Sequence, residues 1–390
     1  MKKLLKNSAV EWKTVADIFT LKNGYTPSKA KEEYWEDGNI PWFRMEDIRE
    51  NGRILTDSIQ HISASAVKGK LIPANSLLMS TTATLGEHAL ILVPYLTNQQ
   101  ITSFSLKESY LNRVSIKFLF YCFYDFGKWC ANNANKNGGL GIIGINKLKQ
   151  YLIPIPPLHV QTEIVRILDK FTALTAELTA ELTAELATRK KQYNYYLDKL
   201  LTFKEDEVQW KTLGDVVNYE QPTKYLVKST SYSDEFKTPV LTAGKTFILG
   251  FTDEIDGIYK ASETPVIIFD DFTTANKWVD FNFKAKSSAM KMITSSDKSK
   301  YLLKYVYYWL NTLSDIKANN DHKRQWISNF ANKKVPIPPF KEQVRIVQIL
   351  DKLDALTNSI TEGLPREIAL RQKQYEYYRN LLLDFPKVQE

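Results

Sequence analysis

Downstream of Leu158, apolar side chains return every three or four positions, at Ile164, Val165, Leu168, Phe171, Leu174 and Leu178. That is the period of an amphipathic helix. The pattern runs into the tetrapeptide T-A-E-L, repeated three times from Thr175 to Leu186 and rich in strong helix formers. Glu185 stands four residues before Arg189, the spacing of a helical ion pair. The preceding P-I-P-P (Pro154–Pro157) cannot be helical, because proline lacks the amide hydrogen and restricts its predecessor. The whole pattern then recurs. "PIPPLHVQTEIVRILDKFTALT" (Pro154–Thr175) matches "PIPPFKEQVRIVQILDKLDALT" (Pro336–Thr357), and "ATRKKQYNYYLDKLL" (Ala187–Leu201) matches "ALRQKQYEYYRNLLL" (Ala369–Leu383), both at an offset of 182 residues and without a gap. Against one T-A-E-L unit the second copy sets Gly363-Leu364-Pro365. Glycine ends helices and proline opens them, so this copy is predicted to break in two. Two long helices with one apolar stripe each are predicted to bury it by packing side by side.

Upstream, "VEWKTVADI" (Val10–Ile18) matches "VQWKTLGDV" (Val208–Val216) at a different offset, 198. Between the matched segments lie two dissimilar blocks, roughly 19–150 and 217–332. Stretches such as "NSLLMSTTATLGEHALILVPYL" (Asn75–Leu96) and "TPVIIFDDFTTANKWVDFNFKAKSSAMKMI" (Thr264–Ile293) alternate β-branched and aromatic runs with turn formers, which predicts short strands. One helix per block is expected, in Ser115–Asn133 and in Ser299–Asn320. The fold class read from this plan is α+β: two globular mixed α/β domains separated by two long helical regions that pack as an antiparallel coiled coil, an internal repeat with pseudo-twofold character. The boundaries are 1–153, 154–204, 205–335 and 336–390.

Composition narrows the function. Of 390 residues 44% are hydrophobic and 25% charged, and the net charge is +8 with pI near 9.0, which favours an acidic partner over a neutral metabolite. No window approaches the eighteen apolar residues of a membrane span, and the basic start lacks a signal peptide's apolar core. With only Cys122 and Cys130, and no C-x-x-C, a disulfide framework or zinc site is not expected; the location expected is cytoplasmic, with no membrane partner.

Four motifs invite an enzymatic reading and do not sustain it. "GLGIIG" (Gly139–Gly144) fits G-x-G-x-x-G, but "ANNANKNG" precedes it and P-I-P-P follows about ten residues later, so no βαβ unit fits in that space. "IPPF" (Ile337–Phe340) has isoleucine where an amino-methyltransferase carries a polar residue, and no cofactor motif accompanies it. Asp270-Asp271 with Lys277 resembles a metal-nuclease pair, yet acidic residues before a turn more often cap it. His61, His88, His159 and His322 lack metal-ligand spacing. No catalytic and no metal-binding residue is assigned. The basic signal is stronger. Between Asp125 and Glu163 there is no acidic residue but there are Lys128, Lys136, Lys147 and Lys149; the matching place in the second block reads "NNDHKRQWISNFANKK". Both runs directly precede P-I-P-P. Lys and Arg neutralise phosphates, and Arg, Asn and Gln can pair with base edges.

The ordered set of motifs resembles the DNA-sequence specificity subunit of type I restriction–modification systems over almost the whole chain. The P-I-P-P…Q…I-V…I-L-D-K…A-L-T pattern and "LPREIALRQKQYEYYRNLLL" look like that family's conserved regions. "GYTPSKAKEEYWEDGNIPWFRMEDI" (Gly24–Ile48) looks like the opening of a target-recognition domain and "HKRQWISNFANKKVPIPP" like the close of one. T-A-E-L repeats mark one subgroup, with Thr175, Leu178, Leu182 and Leu186 as the spacer. The resemblance implies two target-recognition domains, each reading half of a split, asymmetric site in double-stranded DNA. It also implies helical regions that dock two modification (methyltransferase) subunits, joined by restriction/translocase subunits. S-adenosylmethionine would sit in the modification subunits, and no cofactor in this chain. By position, the DNA-contacting candidates are Lys29, Arg44, Thr81, Thr82, Thr84, Lys136 and Asn137 in the first domain, and Lys224, Tyr225, Lys245, Lys277, His322, Lys323, Arg324 and Gln325 in the second. Two other classes compete: a coiled-coil protein-interaction adaptor, and a stand-alone DNA-modifying enzyme.

Overall fold

The W-K-T segment that occurs twice in the sequence closes each block in the same way. Strand β1 (Glu11–Thr14) pairs antiparallel with β10 (Leu152–Ile155), setting Trp12 opposite Pro154. Strand β11 (Gln209–Thr212) pairs with β19 (Lys334–Ile337), setting Trp210 opposite Pro336. This shared register reconciles the two sequence offsets. Trp12 lies 142 residues before Pro154 and Trp210 lies 126 before Pro336, and that difference of 16 is the difference between 198 and 182. Prolines are tolerated because a two-stranded ladder is all edge.

The computed structural model describes residues 9–136, 139–242, 246–313, 326, 329–359 and 362–386. It divides into two compact units, 1–179 with 370–390, and 180–369.

In the first unit β2 (Phe19–Asn23), β9 (Ile101–Leu106), β6 (Ser76–Ser80), β7 (His88–Ile91) and β4 (Ile54–Leu55) form one sheet in that order, and β5 (His61–Ile62), β3 (Ile40–Phe43) and β8 (Leu96–Thr97) another. Helix α1 (Ile116–Asn133) covers the larger sheet, with Phe19, Phe104, Phe123 and Phe126 meeting edge to face at 5.1–5.9 Å. In the second unit β12 (Val217–Glu220), β18 (Met290–Ser295), β15 (Val266–Asp270) and β16 (Asn276–Val279) form one sheet, and β14 (Ile248–Thr252), β13 (Thr238–Leu241) and β17 (Lys284–Ala285) another. Apart from β4, the strand orders correspond one for one, including a parallel pair in each small sheet, β3 with β8 and β13 with β17. The central strands S-L-L-M-S (β6) and V-I-I-F-D (β15) are buried at every position, so they read as continuous apolar runs rather than alternating ones.

The shared segments are helical. α2 (Leu158–Leu201) is a single helix of 44 residues. The second copy breaks, as the glycine and proline predict, into α4 (Phe340–Asn358) and α5 (Gly363–Leu383); α3 (Leu303–Thr312) is the block helix that precedes it. Gly363 has φ +73°, and a Cβ there would strike the Ala355 carbonyl oxygen, so this turn requires glycine. One position departs from the expected stripe. Leu174 is 59% exposed, because at about 100° per residue it lies roughly 80° from the line through Ile164, Leu168, Thr175 and Leu182. The half-buried Thr175, Leu178, Leu182 and Leu186 continue that line instead. Glu185 and Arg189 do pair, at 2.7 Å. In the first unit Phe171 of α2 stacks on Tyr378 of α5, with ring centroids 5.6 Å apart. In the second, Tyr193, Leu197 and Leu201 of α2 share a core with Ile346, Val347 and Leu350 of α4.

Each block is tied to its helical segment by the same two devices. Gln161 is buried; its Oε1 accepts from the Ser115 amide, and its Nε2 donates to the Arg113 and Pro156 carbonyls. Gln343, 182 residues on, does the same with the Leu302 amide and the Lys300 and Pro338 carbonyls. Asp169 accepts from Lys117 and Tyr121 of α1, and Asp351 from Lys304 and Tyr308 of α3. Lysine and tyrosine at i and i+4 face the same way, so one carboxylate meets both. Gln343→Ala takes the partner from three backbone groups, of which the Pro338 carbonyl is buried and the other two half-buried, and is expected to destabilise the second unit by about 2 kcal/mol, read by denaturant unfolding. A loss below roughly 0.5 kcal/mol would remove the anchor role.

Candidate nucleic-acid interface

The loops at one end of the first block's sheets are joined by backbone hydrogen bonds. The Thr81 amide, opening the β6–β7 hairpin, donates to the Gln100 carbonyl at 2.9 Å, in the turn between β8 and β9. The Ala83 amide donates to Gly141, and Ile142 bridges Thr82 on one side and Asn135 on the other. The G-x-G-x-x-G run is therefore a loop packed on this hairpin. Gly86 meets Gly127 of α1 backbone to backbone, where a Cβ on either would collide with the other's carbonyl. Beside these loops lies a groove of ≈ 610 Å³ lined by Lys29, Trp35, Trp42, Arg44, Gln60 and Gln100, among others.

The structure places the sequence candidates unequally. Lys29 is exposed and makes no ion pair among the described residues. Arg44 is engaged with Glu46 at 2.8 Å. Thr81 is buried, and its hydroxyl is spent on the Gln100 carbonyl and Thr102. Thr82 and Thr84 are half-buried in the hairpin, with the Thr84 hydroxyl donating to Ser80. Lys136 is exposed next to Asn135, while Asn137 lies outside the described residues. In the second block Lys224 pairs with Glu220 at 3.2 Å, and Tyr225 meets Tyr259 edge-on. Lys277 is exposed on β16 without an ion pair among the described residues. Lys245, His322, Lys323, Arg324 and Gln325 lie outside the described residues.

The acidic pair is a turn device. Asp270 caps the Phe272 and Thr273 amides, and the buried Asp271 accepts from the Trp326 amide and faces Lys291 at 3.7 Å. Among the described residues no group of three or more His, Cys, Asp or Glu could hold a metal ion. Burial and Arg53 push His88 down to about 3, so it is neutral, and burial pushes the Cys130 thiol up to about 12.

The segment after Lys224 is stapled by Glu254. Its carboxylate accepts from the Ser229 and Lys228 amides and pairs with the buried Lys284 at 2.9 Å, and these contacts lower it to about 2. A depressed carboxylate stabilises the fold fully above its ordinary value near 4.5 and loses that contribution as pH falls towards 2. Glu254→Gln is therefore expected to lower stability at neutral pH, with the gap from the parent closing between pH 4.5 and 2 in acid-unfolding curves. A gap independent of pH would contradict the ion-pair account.

Sequence reasoning missed Gln60 and the Asn98–Gln100 turn. Forty residues separate them, and only the parallel β3–β8 pairing beside β5 brings them to one groove. The available signal was a run of amides, T-N-Q-Q, between two apolar strands.

Comparison with known proteins decides among the three classes. The family model for the type I restriction modification DNA specificity domain matches twice, at residues 7–188 and 205–370. The chain belongs to that family. It is 41% identical to the Type I restriction enzyme EcoprrI specificity subunit of Escherichia coli over 93% of this chain and 92% of that one. To the EcoR124I/EcoR124II specificity subunit of the same organism it is 62% identical, over 49% of this chain and 47% of the relative. A solved structure described under complex assembly and conformational transition of the type I R-M system covers 97% of both chains at TM-score 0.62 and 16% identity, which shows the shared fold. As a specificity subunit the chain recognises DNA, has no catalytic activity of its own, and belongs to a type I restriction–modification system. Among the described residues no helix is long and apolar enough to cross a membrane.

Proposed function

We propose that the chain reads a bipartite, asymmetric sequence in double-stranded DNA, one half-site for each block, and holds two modification subunits and the restriction subunits on that site. The observation that carries this reading is a strand order that occurs twice while the loop residues at the same edge differ. A common frame with divergent loops is what two readers of different sequences require. In this reading the four regions 1–153, 154–204, 205–335 and 336–390 alternate reader and spacer. The paired helices form an antiparallel coiled coil around a pseudo-twofold axis, and the chain falls in the T-A-E-L subgroup, with repeat number setting the gap between half-sites. S-adenosylmethionine belongs to the modification subunits.

Lys29 and Lys277, exposed and without an ion pair among the described residues, are assigned to phosphates. In the complex with modification subunits, Lys29→Ala and Lys277→Ala are each expected to lower the slope of log K against log salt by about one, with the site preference unchanged. A slope unaltered in both variants would remove them from the interface.

A further inference from the structure

We infer that the amide side chains of Gln60 and Gln100 read base edges in the first half-site, and that this half-site contains an adenine–thymine pair recognised by each of them. The inference rests on the DNA-reading role proposed above.

Both backbones are pinned. The Gln60 carbonyl accepts from the Trp42 amide at 3.0 Å and from the Ser58 hydroxyl at 2.6 Å. The Gln100 carbonyl accepts from Thr81, and its amide donates to Asn98 Oδ1 at 3.0 Å. Both side chains line the groove, and neither amide has a partner among the described residues. A side-chain amide offers a donor and an acceptor side by side. The major-groove edge of adenine, N6 donor beside N7 acceptor, is its matched complement, which neither guanine nor cytosine presents. The groove walls are fixed as well. The Trp42 indole donates to the Tyr25 carbonyl, the Trp35 indole to Ser28, and the two rings meet edge-on at 5.1 Å. A reader fixed before binding loses little entropy on contact. Gln99 differs, because Thr26 already donates to its Oε1 at 2.6 Å.

The second block builds the same turn with other residues. Ser287 Oγ accepts from the Ala289 amide at 3.1 Å, as Asn98 Oδ1 accepts from Gln100, each just before the strand β18 or β9 begins. The turn is thus a frame common to both blocks, with amides at the reading position in the first and Lys286-Ser287-Ser288 around it in the second. The second half-site is accordingly not read by glutamine at this place.

The test uses Gln60→Ala and Gln100→Ala in the full chain assembled with its modification subunits, methylating a library randomised across the first half-site. Each variant is expected to relax one A·T position, with discrimination there falling roughly 10- to 100-fold, while every other position and the second half-site hold. If both variants keep the parent's preference at every position while Lys29→Ala still flattens the salt dependence, the glutamines are not readers and the DNA-binding role stands. If the parent complex itself shows no sequence preference, the role proposed above fails with it. If relaxation falls on a G·C pair, the assignment to adenine is overturned.

Discussion

Deleting Thr183–Leu186 is expected to shorten the gap between the two methylated half-sites by one base pair and to leave both half-sites as they were. One T-A-E-L unit is four residues of α2, the continuous 44-residue helix. At 1.5 Å and about 100° per residue, its removal takes out roughly 6 Å and turns everything beyond by about 40° past a full turn. DNA rises about 3.4 Å per base pair and twists roughly 34–36° per step. Length alone would allow one or two base pairs. Twist decides for one, because each reader must meet its half-site from the groove side it was built for. The deletion also leaves the first helical segment four residues shorter than the second, which it now matches without a gap, so some loss of stability is expected along with the new spacing. Sequencing of methylated sites reads the outcome; an unchanged gap between unchanged half-sites would end the ruler hypothesis.

Exchanging residues 217–332 for the corresponding block of another specificity subunit is expected to replace one half-site completely and leave the other intact. The block ends beside its own ladder, β11 with β19, and meets α4 through Gln343 and Asp351. The donor block must therefore supply a lysine and a tyrosine four residues apart on its helix, as Lys304 and Tyr308 do here and Lys117 and Tyr121 do in the first block. A donor lacking them leaves Asp351 without partners and should assemble poorly. The measurement is the methylated motif before and after exchange, and a change in both halves would contradict independent readers.

The repeated helical segments were legible in the sequence because their anchors are chemically exacting: three prolines that exclude helix, a glutamine with three backbone partners, an aspartate with two side-chain partners. Few substitutes satisfy those bonds, so the residues match across 182 positions. The break at Gly363 was legible for the same reason, since its left-handed backbone admits glycine most readily. The common strand order of the two blocks was not legible. It depends on which faces are buried, a condition that S-L-L-M-S and V-I-I-F-D both meet with different residues. Leu174 fits the three-residue step from Phe171, yet at about 100° per residue it lies roughly 80° off the line through Ile164, Leu168, Thr175 and Leu182, and so falls outside the buried stripe. At the interface, isolated basic residues such as Lys29 and Lys277 stood out by charge, whereas Arg44 and Lys224 stood out equally and proved to be paired with Glu46 and Glu220. The neutral amides of Gln60 and Gln100 carry no such signal and converge only in three dimensions.

The central claim is that this chain alone supplies the sequence choice, and that it does so in two halves. Genomic methylation mapped in one host carrying the modification subunits, with and without this chain, tests it directly. The account predicts a single bipartite motif with a fixed gap, present only when the chain is present. The same motif without the chain, or a contiguous one with it, would contradict the account.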